Sequence, residues 1–241
     1  DDVDFRYPGA EEDLLHDISF IAKPGETTSI IGSTGSGKST LVNLVPRFFD
    51  VSKGRILIDG IDIRDVTLKD LRAQIGYVPQ RGVLFSGTIE SNMRLAKPDA
   101  TIEEIMDALD TAQAIDFVMA NPDGLQTEVA QGGTNFSGGQ KQRLSIARAL
   151  VKKPPIYIFD DSFSALDFKT DAALRSALSR KVGNSTVLIV TQRVATAKNS
   201  DQILVLDNGR IAGVGTHQEL MKTCTVYQEI ASSQLSKEEL L

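Results

Sequence analysis

Apolar and polar positions follow two rhythms along this chain. Short, nearly unbroken apolar runs at residues 26–31, 55–58, 75–78, 156–159, 186–190 and 202–206 predict strands. The runs at 156–159 and 186–190 are almost wholly apolar, the pattern of a parallel strand buried on both faces. Asn208-Gly209 separates residues 203–206 from 210–214, and that dipeptide predicts a two-residue hairpin turn. Helices fall between these runs. Residues 41–49 predict one. Thr101-Ile102-Glu103-Glu104 and Thr216-His217-Gln218-Glu219 carry the spacing of a capping box at a helix start. Residues 140–152 are amphipathic and run into Pro154-Pro155, which stop a helix. Residues 84–153 hold no convincing strand. The alternation predicts an α/β domain with a helical insertion.

Composition narrows the function classes. The chain has 241 residues, room for one large domain or two small ones, and 41% apolar content supports a substantial core. Net charge is -6, which gives no electrostatic footprint for nucleic acid. Cys224 is the only cysteine, so no internal disulfide forms, and a reducing compartment is the simple reading. A structural role suits Cys224 better than a reactive one. No apolar run approaches the roughly 20 residues of a membrane-spanning helix, and no secretory leader pattern opens the chain. Asp1-Asp2-Val3-Asp4-Phe5 already reads as a strand, as expected of a piece of a longer polypeptide that is soluble on its own.

The chemistry concentrates in three places. The first is Gly32-Ser33-Thr34-Gly35-Ser36-Gly37-Lys38-Ser39-Thr40, set between a strand and a helix. Strand, glycine loop and helix is the context of the loop that cradles phosphates in nucleotide hydrolases. Glycine lets the backbone curl so that N–H groups face inward, and the helix adds its amides and positive dipole end. Lys38 can reach the β- and γ-phosphates, and Ser39 can offer its hydroxyl to Mg²⁺. The second is Asp160, a carboxylate closing an apolar strand, where such an acid holds Mg²⁺ with the loop hydroxyl. The third is Asn135-Phe136-Ser137-Gly138-Gly139-Gln140. Ser137 can cap the helix that follows, and the glycines expose amides at a second anion site.

These motifs, with Gln80 and Ser164-Ala165-Leu166-Asp167, occur in one order at one set of spacings. Together they resemble the nucleotide-binding domain of an ATP-binding-cassette transporter, over nearly the whole chain. Phe5-Arg6-Tyr7-Pro8 and Leu84-Phe85-Ser86-Gly87-Thr88-Ile89 resemble the exporter branch. The resemblance implies a phosphate-loop NTPase core with a mixed, mainly parallel sheet, an N-terminal antiparallel β subdomain and an inserted helical subdomain. It divides the domain into an ATP-binding core at 1–83 and 154–241 and a helical part at 84–153 that carries the signature. It implies that Tyr7 stacks on adenine and that the loop, with Lys38, Ser39 and Thr40, holds the phosphates of ATP. Mg²⁺ would be held by Ser39, Gln80 and Asp160. Gln80 would also touch the attacking water and relay ligand state to a transmembrane half. Ser137, Gly138, Gly139 and Gln140 would close over ATP bound to a second nucleotide-binding domain, with Asp167 at the interface. A transmembrane domain is expected on the same full-length polypeptide, which places this domain on the cytoplasmic face of a membrane. The resemblance implies no nucleic-acid partner.

Two departures from the family pattern bear on catalysis. Asp161 stands where active members carry the glutamate that deprotonates water, one methylene longer. A displacement of about 1 Å at a reacting group can cost ~100-fold in rate. Gln192 stands where the family carries a histidine, and glutamine cannot supply imidazole's cationic or acid–base forms. Lost acid–base help typically costs about 10²- to 10⁴-fold. Everything that binds nucleotide is retained. The reading is a subunit of a heterodimeric exporter whose own site holds ATP and hydrolyses it poorly, while its signature completes the partner's site. The alternatives are a competent homodimeric exporter domain and a soluble cassette ATPase working without a membrane. Gln131, where exporters often have an acid, reads as loop variation; His16 and His217 show no partner pattern, and His217 reads as a solvated surface residue; the charged tail at 236–241 is expected to fray.

Overall fold

The structure, a computed structural model, describes residues 1–235; the tail at 236–241 lies outside the described residues. The chain opens with strands β1 (Val3–Phe5), β2 (Leu15–Ile18) and β3 (Thr27–Ile31), followed by helix α1 (Lys38–Leu44). The short strands β4 (Leu57–Ile58) and β5 (Ile61–Asp62), helix α2 (Leu68–Ala73) and strand β6 (Ile75–Val78) come next. Then follow β7 (Gly87–Thr88), α3 (Ile89–Arg94), α4 (Ile102–Thr111), α5 (Ile115–Met119), β8 (Glu128–Val129) and α6 (Gly138–Val151). The last part holds β9 (Ile156–Asp160), α7 (Phe168–Lys181), β10 (Thr186–Val190), α8 (Val194–Ala197), β11 (Gln202–Asp207), β12 (Arg210–Gly215), α9 (His217–Thr223) and α10 (Thr225–Gln234). The fold is α/β with a mixed, mainly parallel sheet.

The chain forms two compact units, residues 1–75 with 186–241, and residues 76–185. In the first, four strands lie in the order β12-β11-β3-β10. Strand β3 pairs in parallel with β10 and β11, while β11 and β12 form an antiparallel hairpin. Ile30, Ile31, Val190 and residues 203–206 are buried, as parallel strands covered on both faces require. The hairpin turn matches the Asn-Gly signal: Asn208 and Gly209 sit at φ 44° and 72°, the positive pair of a type I′ turn. The strands β1 with β2 and β4 with β5 pair antiparallel. An apolar cluster of Ile31, Val194, Ala197, Ile203, Val205, Leu220, Tyr227 and Ala231 packs α8, α9 and α10 onto these strands. Cys224 belongs to the same cluster, a buried thiol outside any disulfide whose Sγ donates to the Ala212 carbonyl at 3.7 Å, in keeping with a structural role.

In the second unit β9 lies beside β6. Helices α4 and α6 contribute Ile105, Leu109, Leu144, Ala147 and Val151 to its core. Both Thr101 and Ser137 form full capping boxes, Thr101 with Glu104 on α4 and Ser137 with Gln140 on α6. Thr216 and Glu219 do the same for α9 in the first unit.

Three expectations change. The first helix spans Lys38–Leu44, three residues earlier than the apolar pattern suggests and five shorter at its end. It starts directly on the loop, and Pro46 followed by Arg47 at φ 54° turns the chain away. Residues 84–153 do contain strand pairing, Gly87–Thr88 against Glu128–Val129, too short to leave a period of two in the sequence. His217 is not a solvated surface residue: it is half-buried, and its Nδ1 lies 2.8 Å from the Tyr227 hydroxyl.

Candidate nucleotide site

In the first unit the loop between β3 and α1 is shaped by glycines doing different jobs. A Cβ at Gly32 would stand 2.1 Å from the Leu206 carbonyl oxygen, so the backbone of β11 excludes any side chain there. Gly35 and Gly37 take φ of 83° and 101°, which L side chains rarely adopt. Gly37 is the N-cap of α1, and no side chain caps that helix. The Lys38 ammonium is buried and donates to the carbonyls of Gly32 at 2.9 Å and Ser33 at 2.7 Å. The cation is thus held on the loop itself. Ser36 and Thr40 are buried, whereas Ser33, Thr34, Gly35 and Ser39 are exposed.

Tyr7 stands beside this loop. Its hydroxyl lies 2.9 Å from Thr40 Oγ1. Its ring meets Phe5 and Phe49 edge-on, at centroid distances of 4.9 and 5.2 Å. Gln192 is exposed in the turn between β10 and α8. Its carbonyl accepts from Gln234 Nε2 at 2.8 Å.

In the second unit the carboxylates Asp160 and Asp161 are both buried at the end of β9. Asp160 Oδ2 accepts from the Tyr77 hydroxyl at 3.2 Å. Burial, and then the Asp160 charge, pushes the Tyr77 phenol well above its ordinary value, so it remains a donor. Asp161 takes φ 45°, an uncommon left-handed backbone for a residue other than glycine. Its Oδ2 accepts from Gln80 Nε2 at 3.1 Å. Ser162 Oγ donates to the Val78 carbonyl at 2.8 Å, and Gln142 Nε2 donates to the Pro79 carbonyl at 3.0 Å. The strand end that carries Gln80 is therefore stitched to both the carboxylate turn and α6.

The second glycine loop also lies in this unit. Ser137 Oγ accepts from the Gln140 amide at 3.2 Å, and Gln140 Oε1 accepts from the Ser137 amide at 2.9 Å. A Cβ at Gly138 would meet nothing within 4 Å, and one at Gly139 would stand 3.5 Å from the Ala165 carbonyl oxygen. The signature backbone and the segment at 164–167 are thereby brought together. Asp167 caps α7, accepting from the Thr170 amide at 2.9 Å and the Thr170 hydroxyl at 2.7 Å. Those bonds hold its carboxyl below the ordinary aspartate value.

The sequence left Tyr77, Gln142 and Gln234 unread. Tyr77 could have been found from its place on the strand leading to Gln80. Gln142 and Gln234 act across 63 and 42 residues of chain, and no local pattern marks them. A surface cavity of about 430 Å³ opens elsewhere in the second unit, lined by Phe85, Ser86, Ser91, Asn92 and Leu95. Arg148 stacks over Phe85 at 5.4 Å and donates to the Val83 carbonyl at 2.8 Å.

Sheet, loop and helix define a phosphate-loop nucleotide-binding domain. The family model described as "ABC transporter" matches residues 15–164, and the chain belongs to that family. It is 53% identical over 233 residues to an uncharacterized ABC transporter ATP-binding protein of Mycobacterium tuberculosis, covering 95% of this chain and 40% of that protein. It is 45% identical over 232 residues to a Bacillus subtilis multidrug export ATP-binding/permease protein, YgaD, with 96% and 40% covered. Among solved structures it is similar to a bacterial Atm1-family ABC exporter with ATP bound, at a TM-score of 0.94 and 41% identity, covering 98% of this chain and 42% of that one. The chain spans about two fifths of the length of these relatives.

Proposed function

We propose that this chain is the ATP-binding and ATPase domain of a membrane exporter, and that its own site holds ATP far better than it hydrolyses it. Residues 1–83 and 154–241 form the ATP-binding core in this reading, and 84–153 the helical part. A transmembrane domain on the same full-length polypeptide does the crossing, and this domain lies on the cytoplasmic face. Among the described residues no helix is long and apolar enough to span a membrane. The relatives described as exporters and their greater length support this division of labour. Phe85 and Leu95, exposed beside the cavity in the second unit, supply apolar surface for such a partner.

The residues fit Mg²⁺ and ATP. Lys38 is already a buried cation bonded to oxygen acceptors, and the N-cap of the helix beside it makes no side-chain cap bond. Among the described residues no cluster of three or more His, Cys, Asp or Glu could cage a metal. In this reading Ser39, Gln80 and Asp160 would each offer an oxygen to Mg²⁺, and the cation would neutralise phosphate charge. Tyr7 offers its ring to adenine, and residues 32–40 bind the phosphates. Ser137, Gly138, Gly139 and Gln140 serve the ATP of a second nucleotide-binding domain, with Asp167 at the contact.

One observation carries the slow-site reading. The position of the water-activating carboxylate is filled by Asp161, a short side chain on a left-handed backbone, and that carboxylate is already bonded to Gln80. Gln192, in place of an imidazole, brings no group that can take up or give a proton near neutral pH. A partner domain carrying glutamate and histidine would turn over in the site that this chain's signature completes. The test is steady-state ATP turnover of the chain at concentrations that allow dimerisation, unmodified and as Asp161→Glu/Gln192→His. The expected result is a rise of roughly 100-fold, the lower end of what the two lost groups cost. Equal turnover in the two forms would make Asp161 an adequate base.

A further inference from the structure

The turn that carries Gln192 passes from β10 to α8 in three residues, and its backbone bonds within the first unit are specific. The Thr191 amide donates to the Ile30 carbonyl at 3.1 Å, extending the β3–β10 pairing by one step. The Arg193 amide donates to Thr191 Oγ1 at 3.0 Å. The next two bonds converge on one side chain, Gln234, the last residue of α10. Its Nε2 donates to the Gln192 carbonyl at 2.8 Å, and its Oε1 accepts from the Val194 amide at 2.9 Å. The partners fix which end is which: a carbonyl needs a donor and an amide needs an acceptor. Arg193, the N-cap residue of α8, makes no side-chain cap bond, and the Gln234 oxygen serves the first amide of that helix.

Gln234 is itself held from behind. Ala231, one turn earlier on α10, and Tyr227, two turns earlier, are fully buried in the cluster that also contains Val194 and Ile31. Ile31 immediately precedes Gly32. One apolar body therefore anchors the strand entering the phosphate loop, the helix leaving the Gln192 turn, and the helix that presents Gln234. The amide is a two-point clamp on either side of Arg193, and Gln192 keeps an exposed side chain.

We infer that Gln234 is a positioning residue for Gln192: α10 sets where the side chain at the end of β10 stands. This rests on the reading that position 192 serves the nucleotide site. Leucine at 234 keeps the bulk of the side chain and loses both bonds. Glutamate keeps the acceptor for Val194 and sets a carboxylate oxygen against the Gln192 carbonyl. The two variants separate the helix cap from the hold on residue 192.

The experiment uses the full chain with Gln234→Leu and Gln234→Glu, each alone and in the Asp161→Glu/Gln192→His background. Hydrogen exchange at the Val194 amide is expected to speed up roughly 10-fold in Gln234→Leu and to stay near native in Gln234→Glu. In the double-variant background, Gln234→Leu is expected to lower kcat by roughly 5- to 10-fold with KM moved less than about 2-fold, because the phosphate loop is untouched. Gln234→Glu, which loses the hold on residue 192, is expected to lower kcat as well. A released Val194 amide with unchanged kcat would make the clamp structural only and overturn the inference, as would unchanged exchange in Gln234→Leu. If the double variant turns over no faster than the unmodified chain, the roles given to Asp161 and Gln192 fail. The Val194 exchange then reports the cap on α8 alone, and the positioning inference, which needs a role for residue 192, falls with them.

Discussion

The chain contains two glycine-bearing loops that each open a helix, and they are built on opposite principles. In residues 32–40, Gly35 and Gly37 are there for their backbone: both have positive φ, and Gly37 caps α1 without a side chain. In residues 137–140 the backbone is ordinary and the cap is complete, with Ser137 and Gln140 satisfying each other. Gly138 is there for its bareness, since a Cβ would meet nothing within 4 Å. The first loop needs glycine to fold at all. The second would fold with alanine, so its glycines point to something from outside that must come close. In our reading, similar composition thus serves a site for the chain's own ligand and a site for a partner's.

The largest expected effect falls on the first loop. Lys38→Ala should weaken ATP binding on the order of 100-fold, from charge-assisted bonds to phosphate of about 1.5–3 kcal/mol, read as the Kd of a fluorescent ATP analogue. Gly138→Asp should leave that Kd within about 2-fold. In the Asp161→Glu/Gln192→His background it should cut turnover by about 100-fold, as losing a preorganised donor site does. Turnover that survives Gly138→Asp would erase the distinction between the two loops. Alanine probes the same contrast through stability. Gly37→Ala forces an L side chain to φ 101° and sets its Cβ 2.6 Å from Leu15 Cδ2, a cost of about 2 kcal/mol by denaturant unfolding. Gly138→Ala should be neutral or stabilising by up to ~1 kcal/mol, through helix propensity.

The smallest effect concerns pH. Burial, helped by Lys198, pushes the His217 imidazole below its ordinary value of 6.5. The fold therefore favours the neutral ring. That contribution is present above pH 6.5 and is lost as pH falls through the lowered value. The melting temperature should drop more steeply below pH 6.5 in the unmodified chain than in His217→Asn. Parallel curves would remove His217 from the account.

Legibility tracked how local each signal was. Capping boxes at Thr101, Ser137 and Thr216 were readable because their partners lie three residues away. Buried parallel strands and the Asn208-Gly209 turn were readable for the same reason. The helix after the phosphate loop was misplaced because Lys38, Ser39 and Thr40 carry no apolar rhythm, while Phe48 and Phe49 beyond it do. The β7–β8 pair escaped because two residues make no period. Spacing against a known family suggested the site residues. Their supporting contacts, Tyr77 on Asp160, Gln80 on Asp161 and Gln234 on the Gln192 turn, join residues 42 to 83 positions apart and became visible only in three dimensions. The left-handed backbone at Asp161 had no signature either, since aspartate is common in ordinary strand ends.

The central claim is that this site keeps ATP intact. The most direct measurement is the chemical identity of nucleotide bound to the chain after prolonged incubation with Mg²⁺ and radiolabelled ATP, with Asp161→Glu/Gln192→His beside it. The account expects ATP on the unmodified chain and ADP on the double variant. ADP on both, at the same rate, would contradict it.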